Sequence, residues 1–315
     1  MAAGVARPEA NMATYTYKKV GDLDIKADVL RNADRGVANR PVLMWIHGGA
    51  LMMGGRASKP PFAQAMLDAS CLVVSIDYRL APETQLPGII EDVQDAYRWI
   101  REQGPRLFGA DPGRIAIAGG SAGGYLALAM GFSVRPRPVA LVSLWGYGDL
   151  VGPWYSEPST NPRHMSIKTT REEAFRQVSG PPISNEADRK GSGAMFYQFC
   201  RQQGLWPMAV SGWDPHREPE RFYAFMPVKN VTPDYPPTLL VHGESDTDVP
   251  HEQSAMMAAE LKRNGVEHEF ISVPGGEHGL AGADPRAIEA IYRRAFEFLR
   301  GKFEKNPPPP ARVRN

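Results

Sequence analysis

Uninterrupted apolar runs no longer than a strand constrain this chain most: PVLMWIH (41–47), CLVVSIDY (71–78), RIAIA (114–118), PVALVSLWG (138–146), PTLLVHG (237–243) and HEFISVPGG (268–276). A strand solvated on one face alternates apolar with polar residues, so runs without alternation predict strands buried on both faces. Helical spacing separates them: Ile89 to Gln103 repeats through Ile89, Val93, Ala96, Tyr97 and Ile100, and further helical segments span 251–264 and 285–303. Strands alternating with helices predict an α/β chain with a mostly parallel, doubly wound twisted sheet flanked by helices. Residues 14–47 also read as strands, with TYTYKK and DIKADVL alternating in character before PVLMWIH.

Residues 147–236 break this rhythm. The segment is too long for a plain connection and is rich in proline and aromatics, including Trp154, Trp206 and Trp213. It reads as a cap inserted between the sixth and seventh core strands, whose aromatics either line a substrate pocket or pack a small core of their own. The expected organisation is a flexible N-terminus (1–13), a core of 14–146 and 237–305, the cap, and a disordered Pro-rich tail (306–315). One large domain with an insertion suits 315 residues better than two independent ones.

The charge balance narrows the partners. Thirty-six basic and 35 acidic side chains leave a net charge of +1, so no one-sided field gathers nucleic acid or an anionic membrane surface. Ile115 to Val134 is uncharged over about the length of a membrane span. However, Gly119, Gly120, Gly123 and Gly124 interrupt it around Ser121, which predicts a tight strand-to-helix turn instead. MAAGVARPEANMATYTYKKV lacks the apolar stretch of a signal peptide, and Cys71, within an apolar run, reads as a buried free thiol. A soluble cytoplasmic protein is expected.

The turn at Gly119-Gly120-Ser121-Ala122-Gly123 carries the chemistry. G-x-S-x-G alone is weak, but here it follows a short apolar strand and opens a helix, the placement that lifts a serine hydroxyl clear above a sheet. Backbone N–H groups at that helix start point at any developing anion. A serine needs a base, and the base an orienting carboxylate. Candidates stand after later strands in the order serine, acid, histidine. Asp246 follows PTLLVHG, with Asp248 and Glu244 as rivals that also suit a helix start. His278 follows HEFISVPGG among Gly275, Gly276 and Gly279. His164, His216, His251 and His268 read as surface or capping residues. Directly after PVLMWI, the His47-Gly48-Gly49-Ala50 loop offers further N–H groups for an oxyanion hole, with His47 tying the loop down.

HGGALMMGG (47–55), DYRLAPE (77–83), GGSAGG (119–124), HGESDTDVP (242–250) and GEHG (276–279) together resemble the α/β-hydrolase superfamily, specifically the hormone-sensitive-lipase-like esterases and carboxylesterases. The resemblance implies the α/β-hydrolase fold, with Ser121 as nucleophile, Asp246 as acid and His278 as base. It also implies Gly49, Ala50 and Ala122 as oxyanion donors. Ala50 stands where the family's third glycine is usual, which keeps Gly48 a candidate donor, and Gly120 stands where an acidic residue often precedes the serine. The expected activity is cofactor-independent serine carboxylesterase action on short or medium acyl or aryl esters, such as acetyl or feruloyl esters. An amidase or peptidase-like hydrolase on the same triad, and a non-catalytic ligand-binding protein on this scaffold, are the alternatives. A small-molecule ester is the expected partner, with homodimerisation left open.

Overall fold

In the computed structural model, which describes residues 10–32, 38–189, 191 and 193–307, the apolar runs become neighbours in one eight-stranded sheet of order β1-β2-β4-β3-β5-β6-β7-β8. The strands are β1 (Ala10–Val20), β2 (Leu23–Asn32), β3 (Arg40–Ile46), β4 (Leu72–Ile76), β5 (Ala110–Gly120), β6 (Leu141–Leu144), β7 (Thr238–Gly243) and β8 (His268–Val273). β1 and β2 pair antiparallel, β2 runs antiparallel to β4, and every pairing from β4 through β3 to β8 is parallel. β3, β4, β6 and β7 are covered on both faces, as their unbroken apolar character requires.

Helices cover both faces. On one, α2 (Leu86–Glu102) and α4 (Ala122–Ser133) bury Ile89, Val93, Tyr97 and Leu126 with Val42, Met44 and Ile117 of the sheet. On the other, α1 (Ala63–Asp68) and the last helix pack Met66, Leu67, Leu299 and Phe303 against Leu43, Val73 and Leu239. The short α3 (Gly104–Phe108) precedes β5. Burying the apolar stripe of such helices contributes roughly 25 cal/mol per Å² removed from water.

The insertion lies between β6 and β7, as expected, and is helical: α5 (Pro153–Ser156), α6 (Pro162–Met165), α7 (Arg171–Arg176), α8 (Ala194–Gln203), α9 (Trp206–Ser211) and α10 (Glu220–Tyr223). After β7 come α11 (Glu252–Arg263), β8 and α12 (Pro285–Lys305). Many of the insertion's aromatics pack against one another: Tyr155 stacks on Trp206 with ring centroids 3.8 Å apart and on Trp154 at 3.6 Å. β6 and β7 are adjacent and parallel in the register Leu141↔Thr238 to Leu144↔Val241.

The first strand differs from expectation. β1 begins at Ala10, because Ala10 to Ala13 continue the antiparallel register against Val29 to Asn32. The expectations for residues 1–9 and 308–315 lie outside the described residues. Ile115 to Val134 is divided between β5 and α4, and among the described residues no helix is long and apolar enough to cross a membrane.

Candidate active site

The C-terminal ends of β3, β5, β7 and β8 deliver the candidate residues to one place. At the end of β5 the chain reverses through Ser121, held at φ 56° and ψ −123°, and enters α4 at once. The crossing is too close for side chains: a Cβ on Gly119 would lie 2.2 Å from the Gly123 carbonyl oxygen, and one on Gly123 would lie 2.0 Å from that of Ile46. A positive φ at a non-glycine residue costs on the order of 1 kcal/mol, and the tight turn maintains it at Ser121.

Ser121 Oγ stands 3.1 Å from His278 Nε2, and His278 Nδ1 stands 2.8 Å from Asp246 Oδ2. The carboxylate only accepts, so Nδ1 carries the proton and Nε2 faces the serine hydroxyl as an acceptor. Asp246 Oδ1 accepts the backbone N–H groups of Asp248 and Val249, each at 2.9 Å. Burial pushes the Asp246 carboxyl up, but hydrogen bonds from His242 and His278 outweigh it and hold it at about 2. Glu277 joins the two loops, accepting from Thr247 N–H at 2.7 Å and from Arg163 Nη1 at 2.8 Å.

The loop after β3 faces the turn. Gly48 packs so tightly that a Cβ there would lie 2.8 Å from the Gly120 carbonyl oxygen. Gly49, Ala50 and Leu51 take positive φ values of 105°, 56° and 65°. Among the described residues the N–H groups of Gly48, Gly49 and Ala50 donate to no backbone acceptor. Ala122 opens α4, so its N–H has no partner within the helix. His47 stacks on Tyr78 at 4.3 Å with Nδ1 2.7 Å from the Gly48 carbonyl, and burial lowers its pKa to about 4, leaving the ring neutral near pH 7.

A family model described as alpha/beta hydrolase fold matches residues 43–282. The chain belongs to this family. Solved structures similar to this α/β-hydrolase include a protein of unknown function from Staphylococcus aureus (22% identity, TM-score 0.72, 92% of this chain and 98% of that one). A butyrate-bound thermophilic esterase from Thermogutta terrifontis is similar at 21% identity and a TM-score of 0.65, over 92% of this chain and 93% of that one. Likeness at this level concerns the fold alone. In sequence, the α/β-hydrolase is 28% identical over 299 residues to a non-reducing polyketide synthase of Stachybotrys bisbyi, covering 85% of this chain and 13% of that protein. A second such synthase, from Acremonium egyptiacum, is 27% identical over 92% of this chain and 15% of its own length. The α/β-hydrolase thus spans only a small part of these curated relatives.

Several residues depart from the sequence expectation. Of the rival acids, Glu244 is exposed, whereas Asp248 is buried and engaged by the cap rather than by a helix start. Its Oδ1 accepts from the Tyr197 hydroxyl at 2.6 Å, His164 Nε2 at 2.9 Å and Arg201 Nη1 at 3.4 Å. Burial pushes the Asp248 carboxyl up, yet His164, His278, Arg201 and Tyr197 together hold it well below the usual range. His164 is therefore no surface residue: it is 1% exposed, and its Nδ1 meets Ser159 Oγ at 2.8 Å. Two further neighbours were missed. His242, wholly buried, places Nε2 3.3 Å from Asp246 Oδ2, and the only signal was a histidine closing an apolar strand. Trp145 sets its ring 6.5 Å from that of His278.

Proposed function

We propose that this α/β-hydrolase is a serine carboxylic-ester hydrolase acting through an acyl-enzyme. Ser121 Oγ attacks the ester carbonyl while its proton passes to His278 Nε2, and Asp246 stabilises the resulting imidazolium. The tetrahedral oxyanion takes N–H groups from Ala122 and from the Gly49–Ala50 stretch, with Gly48 as the alternative loop donor. His278 then gives its proton to the leaving alcohol, and water releases the acid with the same histidine as base. The observation that carries this reading is the continuous relay Asp246–His278–Ser121, at 2.8 and 3.1 Å, ending on a serine held at positive φ.

Short or medium acyl esters and aryl esters are the proposed substrates. The likeness to segments of polyketide synthases favours a second reading, in which the acyl group is a polyketide held as an ester or thioester. Initial rates on p-nitrophenyl esters from acetyl to palmitoyl, a feruloyl ester, an aryl thioester and a matched anilide separate these readings from an amidase. Ser121→Ala is expected to lower ester turnover by at least about 10³-fold with the fold intact. Full activity in that variant sinks the mechanism. Failure of a fluorophosphonate to label Ser121 in folded protein points instead to a non-catalytic binder.

A further inference from the structure

Asp248 presents its two carboxylate oxygens to different surroundings. Oδ1 is saturated by three cap residues, Tyr197, His164 and Arg201. Arg201 Nη1 also donates to the Asp248 carbonyl oxygen at 3.1 Å. Oδ2 makes no hydrogen bond among the described residues, and the histidine and arginine nitrogens within 4 Å of it are His278 Nε2 and Arg163 Nη2, each at 3.8 Å. His278 Nε2 is the nitrogen that faces Ser121 Oγ. A second carboxylate oxygen, fixed from behind by the cap, therefore lies beside the reacting edge of the imidazole.

The consequence concerns the second half of the reaction and rests on the acyl-enzyme reading above. In the free enzyme the Ser121 hydroxyl donates to Nε2. Once Oγ is acylated it has no proton, and Nε2 becomes an acceptor without that donor. Nε2 and Oδ2 are then two acceptors 3.8 Å apart, a spacing that one water can bridge with hydrogen bonds of about 2.8 Å to each. We propose that Asp248 is a positioning residue for the hydrolytic water: Oδ2 holds one O–H while Nε2 accepts the other, leaving an oxygen lone pair free to attack the acyl carbon. In the step itself the new C–O bond forms as one water proton passes to Nε2, and the second proton stays on the attacking oxygen against Oδ2. Collapse of the tetrahedral intermediate breaks the bond to Ser121 Oγ, which takes the proton back from Nε2 as the carboxylic acid leaves.

Asp248→Asn tests this directly. The three donors on Oδ1 retain the amide oxygen there, which turns the NH2 toward His278 and converts an acceptor of water into a donor. Stopped-flow with a p-nitrophenyl ester should show a burst of p-nitrophenol at close to the wild-type acylation rate, followed by steady-state turnover slowed about 30-fold or more. Methanol has a single O–H, which Nε2 alone satisfies. The ratio of methyl ester to free acid formed in added methanol should therefore rise by a similar factor. Tyr197→Phe, which loosens Oδ1 and leaves Oδ2 chemically intact, should move the partition ratio the same way by a smaller factor, and serves if the asparagine variant does not fold. Equal loss in acylation and deacylation with an unchanged methanol partition overturns the proposal, as does an unaltered rate. If the wild-type protein forms no acyl-enzyme and Ser121→Ala retains activity, the underlying reading has failed instead.

Discussion

Neighbouring residues in the loop after β3 make opposite demands on a side chain. At Gly49, φ is 105° and a Cβ would lie 2.3 Å from the Met53 carbonyl oxygen, a backbone atom that cannot yield without opening the turn. Ala50 already carries its methyl at φ 56°. Gly49→Ala is therefore expected to lower kcat/KM for a p-nitrophenyl ester by about 10²-fold or more by displacing oxyanion donors. Ala50→Gly relieves strain while freeing the unfolded chain, so its unfolding free energy and kcat/KM should stay within about 1 kcal/mol of wild type. A collapse of activity in Ala50→Gly alone would contradict this view of the loop. At this scale Ser121 and His278 were legible because their signals are local, a serine among glycines after a strand and a histidine in a glycine loop. The contacts of Asp248 with His164 and Tyr197 were not, since they join side chains far apart in the chain and no local pattern encodes such a distance. His242 lies only four residues before Asp246, yet a histidine closing an apolar strand does not show which loop carboxylate its ring reaches.

Among the elements, the long core helices were readable from their period and the core strands from their unbroken apolar runs, while the cap helices were not. Helices of four to six residues such as α5, α6, α7, α9 and α10 are too short to express a 3.6-residue repeat, and their aromatics satisfy one another in stacks. These short elements share one apolar cluster with the core through residues such as Tyr155 and Trp206, and buried polar contacts fasten them further. Arg189 reaches from the cap to Glu83 Oε1 at 3.0 Å, to the Ala81 carbonyl at 2.7 Å and to the Met52 carbonyl, and both charged side chains are almost wholly covered. Removing one member of such a pair leaves the other charge buried alone. Arg189→Ala should cost about 3 kcal/mol or more in denaturant unfolding, whereas replacing Arg189 and Glu83 together with methionine should cost less than the single change. The opposite ranking would mean that packing rather than charge fastens the cap.

For the whole molecule, the order of strands around the switch from antiparallel to parallel pairing was not readable, because apolar runs report burial and not neighbours. The register of β6 against β7 carries a consequence for how such a chain can be cut. Leu144 lies level with Val241, whereas Leu141 lies level with Thr238, so the chain leaves β6 at one end of the sheet and enters β7 at the other. The return past the four paired residues is about 10 Å along the strands, and parallel neighbours require a crossover of about a dozen residues or more. The cap is thus also the piece of chain that threads one strand to the next. Splicing Gly146 to Pro237 through four glycines should give a product without cooperative unfolding by circular dichroism, whereas a splice of helical length should recover a cooperative transition. For this architecture, gaining or losing substrate selectivity by exchanging caps is a problem of connectivity before it is one of chemistry.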